Sequence, residues 1–314
     1  MRASFALAAH RPNVFVRLYR DIARHPALYL MFLPVLAFYL LFCYKPMYGV
    51  LIAFKNYRPA RGIWGSPWVG PEYFVQFFES AFCYRLIRNT LLINLYSLLF
   101  AFPTPILLAV MLNEVKNAPF RRTVQTISYL PHFISTVVIV GIVKTLFSYN
   151  GAFTDIFVAL GMPRVSMIAQ PQYFRSLFVA SGIWQSIGWD SIIYLAAVGN
   201  IDTELYEAAA LDGAGRLKRI WHVTLPGILP TIIIMLILRI GSMMSIGHEK
   251  VILMYSPNTY ETGDVISSYV YRMGLENGSF SYSTAVGLFN SLVNLLLVVL
   301  ANTFSRKLTE TSLW

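Results

Sequence analysis

At 314 residues, 56% hydrophobic and only 13% charged, the chain is far more apolar than a soluble domain, in which about a quarter of residues are charged. Its net charge of +10 would suit a nucleic-acid partner, but basic residues beside apolar runs are what membrane topology produces, which removes the need for one. The two cysteines, Cys43 and Cys83, have no CxxC spacing or paired histidine; they leave a disulfide open and give no support to a metal site.

Residues 1–26 carry Arg2, Arg11, Arg17, Arg20 and Arg24, with Phe15, Leu18, Tyr19 and Ile22 at helical spacing, so they read as an amphipathic segment lying on an anionic inner leaflet. The apolar run beginning at Ala27 has no small-residue cleavage site and predicts an uncleaved first span to about residue 45. From Pro46 to Arg88 aromatics, glycines and prolines predict an extracytoplasmic cap. Further spans are expected at about 90–113, 127–147, 176–199, 227–247 and 282–304, six in all, with residues 306–314 as a tail. The basic residues of the N-terminal segment, Lys116 with Arg121 and Arg122, Arg216 to Arg219, and Arg306 with Lys307 fall on one face. Positive-inside orientation makes that face cytoplasmic and puts both termini there. The loop at 248–281, acidic on balance, then falls outside. Against the rule stand Lys45, Lys55, Arg58 and Arg61 in the first outer loop.

Between the fourth and fifth spans lies a polar island, Asp202 to Pro226, reading DTELYEAAALDGAGRLKRIWHVTLP. Asp202 is placed to cap a helix with Glu204 and Glu207 near its positive end, and Gly213 and Gly215 to break it; Arg216, Lys218 and Arg219 predict a second turn before the next span. On composition alone the stretch is a solvated connection. Its spacing is more specific: Glu207-Ala208-Ala209, three residues with Asp212 last, Gly213, nine residues, then Val223-Thr224-Leu225-Pro226.

That spacing resembles the EAA loop of binding-protein-dependent ABC import permeases, with Val223 where the family usually has isoleucine. SYLPHFIS at 128–135, YETGDVISSYVYRMGL at 260–275, AVGLFNSLVNLLLVVLAN at 285–302 and the terminal SLW are similar to carbohydrate-uptake permeases of the maltose type, and within them to the branch importing oligosaccharides released from plant and algal polysaccharides, including alginate and pectin fragments. The resemblance implies an all-α integral membrane protein with the six-helix type I importer domain over residues 27–305, in the bacterial inner membrane. It implies as partners a second permease chain, two ATPase subunits, an extracytoplasmic solute-binding protein and an oligosaccharide. Glu207, Ala208, Ala209, Asp212, Gly213, Leu225 and Pro226 would form the coupling element docked on the ATPase. The chain contains no GxxxxGK[ST] phosphate loop, so ATP would be used by the partner, with no cofactor and no catalysis in this chain.

Ionisable groups within spans are costly, which marks Lys144, Asp190 and Arg239. Asp190 and Arg239 fit equally a helix-locking pair or a substrate contact, and Lys144 fits a snorkelling end. Trp184, Gln185, Trp189, Tyr194 and Asn290, with Asn200 at a span end, supply the ring faces, amides and hydroxyls that hold sugars; the same residue types also pack helices together. Lys55, Arg58 and Arg61 fit attraction of an acidic oligosaccharide or lipid headgroups alike. His132, after Pro131, reads as a residue of a helix kink. A secondary transporter would predict inverted repeats and helices broken at mid-membrane, and a membrane-embedded enzyme would need paired acids or a metal cluster; the sequence announces neither.

Overall fold

The computed structural model describes Tyr19 and residues 21–244 and 246–309. The expected interfacial segment at 1–26 falls mostly outside these residues, as do positions 310–314 of the tail with the terminal SLW. Every regular element described is helical, and the one β pairing is an isolated bridge between Lys55 and Trp68.

Backbone contacts divide the chain into a unit ending at Leu51 and a unit beginning at Ile52. In the first, α1 (Pro26–Phe38) continues through a wide turn at Tyr39–Tyr44 into Lys45–Met47. None of these residues is buried, and Leu30, Phe42 and their neighbours point outward, as a helix dissolved in lipid requires. The expected break at Pro46 is absent: the chain stays helical and tightens into a 3-10 stretch, Tyr48–Phe54.

The main helices of the second unit are α2 (Glu72–Glu79), α3 (Cys83–Glu114), α4 (Ala118–Phe133), α5 (Thr136–Leu146), α6 (Pro171–Gly199), α7 (Thr203–Leu211), α8 (Arg216–Gly241), α9 (His248–Met254), α10 (Ile266–Tyr271) and α11 (Phe280–Thr309), with a short helix Ala152–Ala159 and single turns between them. Four helices of the described chain are long and apolar enough to cross a membrane: the run Pro26–Phe54, α3, α8 and α11. The span expected at 127–147 is instead the pair α4 and α5, bent by 101°. Pro131 removes a backbone donor there, and Ser135 restarts the helix by accepting from the Val138 amide. The span expected at 176–199 lies in the 29-residue α6, long enough to cross but interrupted by Arg175, Gln185 and Asp190.

Proline also explains why other helices outrun their expected bounds. Wide π turns at Tyr39–Tyr44, Ser97–Ala101 and Ile220–Thr224 each end two residues before a proline, Pro46, Pro103 and Pro226. Proline lacks an N–H and its ring crowds the preceding carbonyl; one turn of wider winding absorbs both without ending the helix. Hence Arg216 to Arg219, expected as a separate turn, form the first turn of α8 itself.

The helix α8 runs antiparallel to α11. Asn294 Oδ1 accepts from the Met244 amide and Asn290 donates to the Met244 carbonyl, while a Cβ on Gly241 would meet Val298. The start of α11 therefore lies at the opposite end of the unit from the start of α8 and the polar island. Where the sequence predicts an open loop at 248–281, the chain folds into α9, α10 and intervening turns, with Val251, Met254, Val265 and Ile266 fully enclosed.

Candidate functional site

Two features carry the chemistry, the island at one end of the unit and a polar cavity among its helices. The island is a built element. Asp202 Oδ1 accepts from the Glu204 amide at 3.0 Å, satisfying an orphan donor of α7. At the other end Gly213 has φ +76°, with its amide donating to the Ala210 carbonyl at 3.1 Å and the Ala214 amide to Ala209 at 2.9 Å. This paired reversal is a glycine-dependent helix stop, so the glycine six residues after Glu207 fixes where α7 ends.

Glu207, Ala208 and Asp212 are exposed, and Ala209 is partly so. Leu225 packs into a core with Ile106, Tyr194 and Ile228, leaving Pro226 at the surface. Sequence reasoning missed the apolar side chains around α7: Leu211 is 90% exposed, Leu217 82% and Trp221 70%. Their signal was available, since Leu211, Leu217 and Trp221 stand among the charged and small residues of the insert. The basic cluster Arg216 to Arg219 sits at a helix N-terminus, where the dipole disfavours cations, so α8's own stability does not explain it.

The cavity, about 360 Å³, opens between α3, α6, α8 and α9. Its wall brings together three of the predicted pathway residues, Asp190, Tyr194 and Arg239. Asp190 and Arg239 share the space without forming an ion pair; among the described residues such pairs form only at Asp264 and between Arg164 and Asp155. The remaining predicted residues lie off the cavity wall. Gln185 donates to the Ile134 carbonyl at the bend between α4 and α5, and Trp189 lies flat on His132 with ring centroids 4.4 Å apart. Asn290 holds Met244, leaving its Oδ1 buried without a partner. Trp184 is exposed and lies outside the cavity wall. Lys144 is exposed near the end of α5. Lys55 is committed to the Ile63 and Ser66 carbonyls and lies 5.8 Å from the Trp64 ring. Both cysteines are free thiols.

Lys250 is the cavity residue that the sequence did not reveal. The helix α8 ends at Gly241, and α9 then carries Lys250 inward, where its ammonium donates to the Phe178 carbonyl at 3.0 Å and lies 4.7 Å from the Phe178 ring. Gly182 leaves it room, since a Cβ there would lie 3.3 Å from Nζ. The break after Gly241, which the sequence did not announce, and the break at residues 134–135, beside the kink expected at Pro131–His132, turn side chains toward the cavity, and irregular backbone is tolerated where protein and a cavity surround it.

At the end away from the island, Asp264 is fully buried and bonds Arg272 at 2.7 Å, with Arg85 at 3.8 Å. Ser268 donates to the same carboxylate, and Asn89 joins α3 to the Glu261 and Asp264 carbonyls. Burial pulls the Arg272 guanidinium down, but Asp264 outweighs it and holds the group above its ordinary value. Burial likewise pushes the Tyr255 phenol up to about 12, so it stays neutral and accepts from Arg272 at 3.3 Å.

Residues 101–310 match the model of the family described as binding-protein-dependent transport system inner membrane component. Protein LplB of Bacillus subtilis (strain 168) is 45% identical over 294 residues, 93% of this chain and 92% of that protein. The polygalacturonan/rhamnogalacturonan transport system permease protein YteP of the same organism is 42% identical over 299 residues, 95% and 93% of the two chains. Among solved structures, a chain of a bacterial ABC transporter involved in import of the acidic polysaccharide alginate superposes with TM-score 0.87 at 46% identity, covering 93% of this chain and 99% of that one. A chain of the alginate transporter in complex with alginate pentasaccharide-bound periplasmic protein gives TM-score 0.87 at 45% identity, covering 95% and 100%.

Proposed function

The chain belongs to the family of binding-protein-dependent transport system inner membrane components, and on that premise we propose that it is one of two permease chains of an ATP-driven importer of acidic oligosaccharides. The observation that carries this reading is α7: a capped, glycine-terminated helix at one end of the unit, its face of Glu207, Ala208 and Leu211 exposed and unused by the chain. Small residues allow close approach, the carboxylate offers a charge-assisted hydrogen bond, and Leu211 and Trp221 supply apolar area. An ATPase subunit docked there would drive α7, and with it α6 and α8, when nucleotide closes the ATPase pair. The island then lies in the cytoplasm, as the charge pattern of the connections favours. The chain itself performs no catalysis and binds no cofactor in this reading.

The substrate class rests on the cavity. Arg239 and Lys250 set two cations against one carboxylate, Asp190, on the wall of a cavity between helices. A net positive wall in a low dielectric suits the carboxylate of a uronate unit. Relatives named for polygalacturonan and alginate transport support the same class. A solute-binding protein would deliver the saccharide on the side opposite α7.

Reconstitution with the second permease chain, the ATPase pair and a loaded binding protein tests the reading. Stimulated ATP hydrolysis and oligosaccharide uptake are expected, and both should disappear in a Glu207→Ala, Gly213→Asp double variant that no longer retains the ATPase. Uptake driven by an ion gradient without the ATPase would overturn it.

A further inference from the structure

A second pocket, of about 470 Å³, lies at the end of the unit away from α7. It is separate from the cavity among the helices, with which it shares no lining residue. The chain following Phe54, the helix α2, and the stretch from Tyr269 to Tyr282 converge on it. Its frame is rigid: Ser281 accepts from the Tyr57 amide at 2.9 Å and donates to the Lys55 carbonyl at 2.6 Å, and the hydroxyls of Tyr269 and Tyr282 are 3.2 Å apart. Phe280 meets Tyr57 edge-on, with ring centroids 6.1 Å apart.

Apart from Met273 and Gly278 the lining consists of rings, amides and hydroxyls, and it contains no charged side chain. Within the described chain the side-chain amides of Asn56 and Gln76 and the hydroxyls of Tyr57 and Tyr73 are not used in hydrogen bonds, unlike those of the frame residues. Free amide donors and acceptors beside ring faces match a pyranose, whose C–H face stacks on aromatics while its hydroxyls take paired hydrogen bonds. The volume falls in the range of small-molecule sites, about 300–1,000 Å³.

We infer that this pocket is an outer saccharide subsite, which holds one sugar unit through its ring face and hydroxyls and does not read charge. It goes beyond the import reading: it calls for a binding site at the mouth of the unit that works without the ATPase and without the cations of the inner cavity. Such a subsite would hold a trailing unit of a chain while Arg239 and Lys250 engage the units ahead of it.

The test is saturation-transfer NMR on the complete transporter in nanodiscs, without the binding protein, titrated with neutral and acidic oligosaccharides of equal length. An Arg239→Gln, Lys250→Gln background removes both cations of the inner cavity, and with them its contribution to acidic ligands. Both ligands should bind with similar affinity, and Gln76→Ala, on an exposed side chain that the fold does not need, should weaken both about tenfold, the loss expected for hydrogen bonds worth about 1.4 kcal/mol. Asn56→Ala should do the same, and Tyr73→Phe should keep the ring and weaken binding less. Unchanged affinity in Gln76→Ala and Asn56→Ala would overturn the subsite, as would binding of the acidic ligand alone. Variants that spare saccharide binding but weaken docking of the binding protein would reassign the pocket to a protein segment. Because the readout is binding without ATP, its failure leaves the import reading to its own test.

Discussion

The hydroxyl of Tyr206 lies 3.0 Å from that of Thr224, an isolated side-chain bridge joining α7 to the first turns of α8. Thr224 is fully buried and ends the π turn at Ile220–Thr224, so a push on α7 reaches the helix where its winding is already widened. Tyr206→Phe removes one hydrogen bond, worth about 1 kcal/mol, and should lower uptake per ATP hydrolysed by about fivefold while leaving the ATPase bound. Parallel measurement of hydrolysis and uptake separates the two; equal losses in both would place the residue in docking instead.

The glycine stop and the apolar face of α7 make different demands. Gly213→Val places a β-branched residue at φ +76°, a strain of about 1–3 kcal/mol, and should fray the last turn of α7. Leu211→Asp changes no backbone geometry but puts a carboxylate where Leu211 is 90% exposed. Both variants should reach the membrane at normal levels and lose ATPase co-purification. Retention of the ATPase by Leu211→Asp would show that this face is not buried in the assembly.

How much of this the sequence carried depends on the range of the interaction. The cap at Asp202 and the stop at Gly213 act within one helix, and both were legible from spacing. Pro46 and Pro226 misled, because each was read as an element boundary, whereas a π turn ending two residues earlier lets the helix run on; Pro103 lies inside the expected span and its helix continues in the same way. Asp190, Tyr194 and Arg239 stood out as pathway candidates because ionisable and amphipathic groups inside apolar runs need a reason, and all three lie on the cavity wall. Lys250 did not, since its insertion beside Gly182 depends on where α8 breaks and how α9 turns back. Gln185 and Asn290 have the residue chemistry of sugar ligands, and only tertiary structure spends their amides on the Ile134 and Met244 carbonyls.

Asp264 anchors the end away from α7. Its carboxylate is fully buried, paired with Arg272, and approached by Arg85 from α3. Removing one member strands the others in low dielectric, which costs about 3–5 kcal/mol. Asp264→Asn should therefore lower the thermal unfolding midpoint of the purified transporter, and Arg272→Met should lower it comparably. The double variant should be less destabilised than the sum of the two, since neither charge is then left alone. Strict additivity would mean that the two side chains do not stabilise one another.

The cavity cations give a prediction about selectivity. Arg239→Gln and Lys250→Gln each remove one positive charge from a wall that also holds Asp190, without altering the caps or the proline turns that shape the helices. If the wall reads a carboxylate, each variant should cut uptake of an acidic oligosaccharide about tenfold or more, the loss expected for a charge-assisted hydrogen bond of about 1.5–3 kcal/mol. Uptake of a neutral oligosaccharide of the same length should change little. Gly182→Val offers an independent check, because its side chain would crowd Lys250 Nζ away from the Phe178 carbonyl while keeping the lysine. It should copy the selectivity of Lys250→Gln if the position of the ammonium matters and not merely its presence. Uptake assays with paired acidic and neutral substrates decide the matter: an equal fall for both would assign Arg239 and Lys250 to holding the helices together, and no fall for either would remove them from the path.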